Sequence, residues 1–245
     1  VKKMYQSFYN RCDVVYVPSV RIMKELEEYG VSKNVMKLWQ RGINSHLFNP
    51  SKRDIRFIRR LTGNDNPCIL FVSRLVWEKN VETLFGIYDE MESRGMEVNF
   101  IIAGNGVAEE SARQRMKNAI FLGFLNHDDL ATVYASSDVF VFTSISETYG
   151  NVVVEAMSSG CVPVIANGGG SQALVKNGVT GFLCEPDNPV DYIDKIKILL
   201  NNMEIRDKMQ QAGYEFVLPL SWDSLAEEYF NDMQRLAHGS SRNGE

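Results

Sequence analysis

At 245 residues with 44% hydrophobic content, the chain is long enough to bury a real core in one large or two small domains. Its formal charge of −5 argues against nucleic acid as a partner, because a phosphate backbone needs clustered Lys and Arg, whereas a small phosphorylated ligand needs only one or two cations. No apolar run approaches the roughly 18 residues that span a bilayer, and no signal peptide is evident, so any membrane contact is expected to be peripheral.

Cys12, Cys68, Cys161 and Cys184 are widely spaced with no CxxC pair, which suggests neither zinc nor a disulfide framework. Reduced core thiols in a cytoplasmic protein fit better. The chain opens at Val1 and runs directly into a segment that suits either a helix or a strand, and it reads as a piece of a longer protein.

Residues 1–50 differ in pattern from the rest of the chain. A short β run at 14–17 precedes Ser19, a plausible N-cap for a helix closed by Gly30, and a second strand, NVMKLWQ, leads into RGINSHLFNP. Two strands and one helix do not make a sheet domain, so this segment is read as the end of a preceding domain and its linker.

From Pro67 the pattern becomes regular. Apolar strands CILFVS, VNFIIAG, AIFLGFL, VFVFTS, VPVIAN and a short GFLCEP are separated by helical patterns at 81–94, 109–117, 127–136, 151–159 and 171–176. Continuous apolar strands alternating with helices predict an α/β fold: a Rossmann-like parallel sheet with helices on both faces and right-handed crossovers. Residues 51–220 are expected to form this domain. Two helices should follow the last strand, 221–237 should form a final helix, and 238–245 reads as a disordered polar tail.

Candidate chemistry gathers at the strand ends. Arg74 and Lys79 follow the first strand of this domain, where two cations suit a diphosphate or are ordinary surface charges. Glycines recur at the strand ends, at Gly104, Gly106, Gly123, Gly150 and the run 168–170, and this clustering is more informative than any one of them. In TSISETYGNVVVEAMSSG, two carboxylates, Glu147 and Glu155, are separated by seven residues. Glu155 interrupts an apolar run, so it must accept hydrogen bonds, from ribose hydroxyls or from a protein neighbour. Glu147 suits sugar hydroxyls or a helix cap, and the helix that begins there offers free amides to an anion. His46, His127 and His238 form no metal or triad set. His127 is expected to cap a surface helix, and no nucleophile signature is present.

The order SRL…EK, AGNG, LGFL, SSDVFVFTS, SETYGNVVVEAMSSG, VPVIAN-GGG and NGVTGFLCEP resembles the donor-binding half of retaining GT-B glycosyltransferases, over most of the chain from Asp13 to Leu236. That large family includes α-mannosyl-, α-glucosyl- and sulfoquinovosyltransferases, and the LW-RGIN-FNP wording is similar to mannosyl- and sulfoquinovosyltransferases of bacterial and plant type. The resemblance implies a nucleotide-diphosphate sugar (UDP, GDP or ADP) as donor substrate, no metal and no other cofactor. It implies that Arg74 and Lys79 bind the diphosphate, that Glu147 holds hydroxyls of the transferred sugar and that Glu155 accepts from the ribose. Backbone amides of Tyr149, Gly150 and Asn151 would face the sugar and phosphate. Gly123, Phe124 and Leu125 would hold the base, with Gly104 at a neighbouring strand end.

The implied acceptor is a lipid, a glycan or a small molecule, bound mostly by an N-terminal domain of which only the end is present. The segment from Trp222 resembles the helix that returns to that domain, so this chain alone should bind donor without turning it over. The sequence departs from many relatives at GGGSQAL, where Gln172 and Ala173 stand in place of a proline and an acid. The implied location is the cytoplasm or the cytoplasmic face of a membrane. Rival readings are a non-catalytic nucleotide-binding scaffold subunit, and an epimerase or phosphorylase of the same architecture.

Overall fold

The computed structural model describes residues 2–39 and 41–240. Its contacts separate into two compact units, one built from the two chain ends (up to Gly42 and from Pro219) and one spanning Ile43–Leu218.

In the first unit the opening segment resolves to a helix, α1 (Lys2–Tyr9), followed by β1 (Val15–Val17), α2 (Val20–Glu28) and β2 (Met36–Leu38). The β1 and β2 strands pair in parallel, with Val15 opposite Met36. Ser19 caps α2 as its position suggested, its Oγ accepting from the Ile22 amide at 3.3 Å. Val17, Val31 and Met36 form a small core beneath Tyr5, Tyr9 and Leu26. The C-terminal helix, Trp222–Ser240, joins this unit through polar and aromatic contacts. The Tyr16 hydroxyl donates to Asp232 Oδ2 at 2.9 Å, Lys37 pairs with both Asp232 and Glu228, and Trp39 stacks on Tyr229 with centroids 5.0 Å apart. Trp222 lies over Gly42, leaving no room for a β-carbon there. The helix continues to Ser240, past the expected start of a disordered tail at His238, and a basic residue in a last turn suits the negative end of the helix. The rest of that tail lies outside the described residues.

The second unit runs α3 (Ile55–Thr62), β3 (Cys68–Val72), α4 (Val81–Ser93), β4 (Asn99–Ala103), α5 (Glu109–Arg115), β5 (Ile120–Gly123), α6 (His127–Ser136) and β6 (Val139–Phe142). It continues through α7 (Asn151–Ser158), β7 (Val162–Ala166), β8 (Phe182–Cys184), α8 (Pro189–Asn201) and α9 (Met203–Val217). All six strands are parallel, in the order β5-β4-β3-β6-β7-β8. Alternation places the strands' side chains on two faces. Ile69, Phe71, Ile102, Val141 and Val164 share one core with Leu84 and Ile87 of α4 and Tyr192 and Ile196 of α8. Phe140 turns the other way and meets Tyr134 of α6 edge-on at 5.7 Å. Helices thus cover both faces, and the expected Rossmann-like sheet is present.

Three local expectations change. Residues between the linker and Pro67 carry a helix that the apolar pattern did not announce: α3 is short and buries only Ile58, yet it has both end signals. Asp54 Oδ1 accepts from the Phe57 amide at 2.9 Å, and Gly63 closes the helix in the left-handed region at φ 74°. Residues 171–176 do not form an α-helix. Ser171–Leu174 is a single 3-10 turn with no side-chain cap, and Val175 leaves it extended while the Lys176 amide is held by Thr180 Oγ1 at 2.8 Å. His127 is not the cap of α6. That role belongs to Asn126, whose Oδ1 accepts from the Asp129 amide at 2.9 Å.

Candidate functional site

The strand order reverses between β3 and β6, and in an open parallel sheet ligands bind in the crevice beyond the strand C-termini at that point. The loops following these two strands carry Arg74 to Lys79 and the Glu147 segment.

The loops are stitched together. Lys79 Nζ meets Glu147 Oε1 at 2.7 Å, with the lysine nearly buried at 9% exposure. Thr143 Oγ donates to the Lys79 carbonyl at 3.0 Å, and Ser146 Oγ to the Glu78 carbonyl at 3.0 Å. These three bonds fix the ammonium where the two loops meet. Thr143 and Ser146 were not singled out in the sequence, because a Ser or Thr after a strand is ordinary loop composition.

A third loop, after β7, packs against the Glu147 segment. The Gly170 amide donates to the Glu147 carbonyl at 2.6 Å. A β-carbon on Gly170 would collide with the Thr148 carbonyl, one on Gly169 would lie 2.5 Å from the Ile145 carbonyl, and one on Gly168 would lie 2.7 Å from the Ile145 side chain. Close approach of the Ile145–Thr148 segment therefore excludes a side chain at all three glycines, and Gly169 in addition takes a left-handed turn conformation at φ 64°. They hold the Glu147 segment in place without side chains of their own.

The segment then enters α7. Gly150 begins it at φ 97° with no side-chain cap, and Ser171 Cβ would lie 2.7 Å from any β-carbon there. The Tyr149 side chain is buried and Asn151 is exposed. An uncapped first turn leaves backbone amides available to an anion and carries the partial positive charge of a helix N-terminus.

Glu155 lies one turn further on and is half-buried. Its Oε2 accepts from the hydroxyl of Tyr134, a wholly buried residue of α6, at 3.2 Å. Burial pushes the Glu155 carboxyl above its ordinary pKa, while the Tyr134 hydrogen bond and the nearby His127 pull it down. Tyr134 was another residue that sequence reading passed over. Its place on the apolar face of α6 was legible, but its contact with a carboxylate 21 residues later was not.

Arg74 follows a different course from Lys79. It is exposed and pairs with Glu78 at 3.1 Å, one helical turn away in sequence. It lines a cavity of about 230 Å³ together with Gly104, Phe124, Leu125 and Val152. Phe124 is 82% exposed at its rim. Gly123 supports this wall from behind, its carbonyl accepting from the Gly104 amide at 2.7 Å, and a β-carbon on Gly104 would collide with the Ser73 carbonyl. The expected residues thus fall into adjoining groups: Lys79, Glu147 and the start of α7 in the crevice, Glu155 with Tyr134 one turn along α7, and Arg74, Gly104, Phe124 and Leu125 around the cavity.

Among the described residues no group of three or more His, Cys, Asp or Glu could hold a metal ion, and no helix is long and apolar enough to cross a membrane. The four cysteines are free, and Cys68, Cys161 and Cys184 are buried.

The family model described as "Glycosyl transferases group 1" matches residues 52–216. The chain belongs to that family. Among curated relatives, a sulfoquinovosyl transferase of Arabidopsis thaliana is 34% identical over 92% of this chain and 45% of its own length. A GDP-mannose-dependent alpha-mannosyltransferase of Corynebacterium glutamicum is 29% identical over 90% of this chain and 52% of its own. The chain therefore spans about half the length of these relatives.

Solved structures agree on the fold. A glycosyltransferase from Rickettsia africae superposes with a TM-score of 0.82 at 20% identity, covering 96% of this chain and 66% of that one. An Anabaena protein crystallised with UDP and glucose gives 0.78 at 21% identity, covering 95% and 66%. The C-terminal domain of a group 1 family protein from Francisella tularensis gives 0.60 at 20% identity, covering 72% of this chain and 96% of that domain. The sheet of this family member corresponds to one half of the two-domain GT-B fold, consistent with the C-terminal half.

Proposed function

We propose that this chain is the donor-binding part of a retaining glycosyltransferase that moves a sugar from a nucleotide diphosphate to an acceptor hydroxyl. The observation that carries the reading is the nearly buried Lys79–Glu147 pair set at the sheet's switch point beside the uncapped start of α7. A cation held next to free helix amides suits a diphosphate. A carboxylate beside it suits the hydroxyls of the sugar attached to that diphosphate.

In the transfer, the bond between the anomeric carbon and the phosphate oxygen breaks and its electron pair leaves with the nucleotide. The acceptor oxygen bonds to the same face of the carbon and its proton passes to the departing phosphate. Negative charge grows on the leaving group, where Lys79, Arg74 and the α7 amides would stabilise it electrostatically. Glu147 would release Lys79 to the phosphate and take sugar hydroxyls. Glu155 would accept from the ribose, and the cavity walled by Arg74, Gly104, Phe124 and Leu125 would take the base. The acceptor, a lipid, glycan or small molecule, would be bound mainly by an N-terminal domain, so this chain alone should bind without turnover, in the cytoplasm or at a membrane face.

The donor named for one relative carries GDP, and the Anabaena structure holds UDP, so the test is a thermal-shift and calorimetry panel of UDP, GDP and ADP sugars. One member should raise the melting temperature as mass action requires, and Lys79→Ala should abolish the shift. If no nucleotide sugar stabilises the chain, the reading is wrong.

A further inference from the structure

Glu155 is served unequally on its two oxygens. Oε2 accepts the Tyr134 hydroxyl at 3.2 Å, and among the described residues Oε1 accepts nothing. Tyr134 cannot drift to share itself otherwise. Its ring is wholly buried and wedged edge-on between Phe48, at 6.0 Å, and Phe140, at 5.7 Å, and its hydroxyl makes no other hydrogen bond among the described residues. A buried phenol needs a polar partner and a half-buried carboxylate needs a donor, so each fixes the other. The hydrogen bond joins α6 to α7, and it sets the rotation of the carboxylate about its own axis.

We propose that Tyr134 is a positioning residue for ribose recognition: by holding Oε2 of Glu155 it leaves Oε1 as an oriented acceptor, which selects nucleotides with vicinal ribose hydroxyls over their deoxyribose counterparts. This rests on the donor-site reading above and adds to it the residue that makes Glu155 competent. The groups that face this pair are few. His127, at the start of α6, lowers the Glu155 pKa by its charge, Cys161 faces Tyr134, and burial opposes ionisation of both members of the pair. Removing the phenol oxygen takes away the largest influence that favours the carboxylate form. A protonated Glu155 could no longer accept at both oxygens.

The test compares the parent chain with Tyr134→Phe, which keeps the ring and its packing, using UDP, GDP and ADP and their 2′-deoxy forms in calorimetry. A parallel carbon-13 NMR titration follows the Glu155 carboxyl. The parent should prefer the ribonucleotide. In the variant, ribonucleotide affinity should fall on the order of ten-fold, as for loss of a hydrogen bond to a charged group, with deoxynucleotide affinity unchanged. The Glu155 titration, and with it the acid limb of ribonucleotide binding, should move to higher pH. A variant that keeps the parent's ribose preference and the parent's Glu155 titration overturns the inference alone. A parent that binds none of the nucleotides overturns it together with the donor-site reading. A melting temperature for the variant close to the parent's, with the preference lost, separates positioning from general destabilisation.

Discussion

Consider the Lys79–Glu147 pair as a thermodynamic cycle, in the chain without ligand. At 2.7 Å and an effective dielectric near 20, the gross attraction is about 6 kcal/mol, most of it offset by the loss of hydration of both groups. The side chains retain 11% and 23% exposure, so neither is fully cut off from water and the net coupling should settle at about 1–2 kcal/mol. Lys79→Met leaves the more exposed member alone and should cost about 2 kcal/mol, while Glu147→Gln leaves the less exposed ammonium alone and should cost about 3 kcal/mol. The double variant removes both charges together and should cost less than the sum, about 3–4 kcal/mol. Equilibrium urea unfolding followed by circular dichroism measures all three, and repeating it at high salt should leave the coupling largely intact, because screening acts weakly on a nearly buried pair. Additive single costs, or a coupling that vanishes with salt, would show that the two side chains are solvated independently and would remove the rigid crevice from the functional argument.

Three further outcomes are expected. Glu155→Gln should raise the melting temperature at pH 7 while weakening nucleotide binding. The folded-state pKa of Glu155 is raised, so the stability tied to its protonated form is lost as pH rises through that value, and Gln escapes the loss. The gain should fade below the ordinary carboxylate pKa, which thermal melts from pH 4 to 8 will check. Gly170→Ala should destabilise by at least about 3 kcal/mol, since the new β-carbon meets backbone and not a flexible side chain; a melt indistinguishable from the parent's would refute the close-approach account of the glycine run. Burial pushes the thiols of Cys68 to about 11 and Cys184 to about 12, with Cys161 also raised, so at pH 8 only Cys12 should react quickly with a disulfide reagent. Their contribution to stability is complete below the ordinary thiol pKa and is lost as pH rises through the folded values; four fast thiols in the native chain would contradict this.

The sheet was legible because its four inner strands are buried on both faces and read as unbroken apolar runs, as CILFV and VFVF do. The carboxylate pair was legible because Glu155 breaks such a run. What escaped were features whose signal is a partner distant in sequence. The α3 helix buries one residue fully, so its apolar period is weak, although Asp54 and Gly63 mark both ends. Ser171 begins a run that looks helical, but Thr180 takes the Lys176 amide and turns the chain away. Arg74 and Lys79 read alike as cations in one loop, and only the three-dimensional arrangement separates an exposed pair with Glu78 from a nearly buried pair with Glu147. Tyr134 looked like core, which it is; its second role depends on an oxygen contributed by another helix.

The missing cap of α7 has a consequence for anyone who would stabilise this protein. A Ser, Thr or Asp at the head of a helix ordinarily adds about 1 kcal/mol, which makes position 150 an obvious target for thermostabilising design. Here the backbone at φ 97° and the neighbouring Ser171 both resist any side chain, and a carboxylate that did fit would occupy the amides proposed to receive phosphate. The glycine therefore keeps a capping side chain out of position 150 by sterics, and a library selected for melting temperature alone would find that position closed to the usual capping residues.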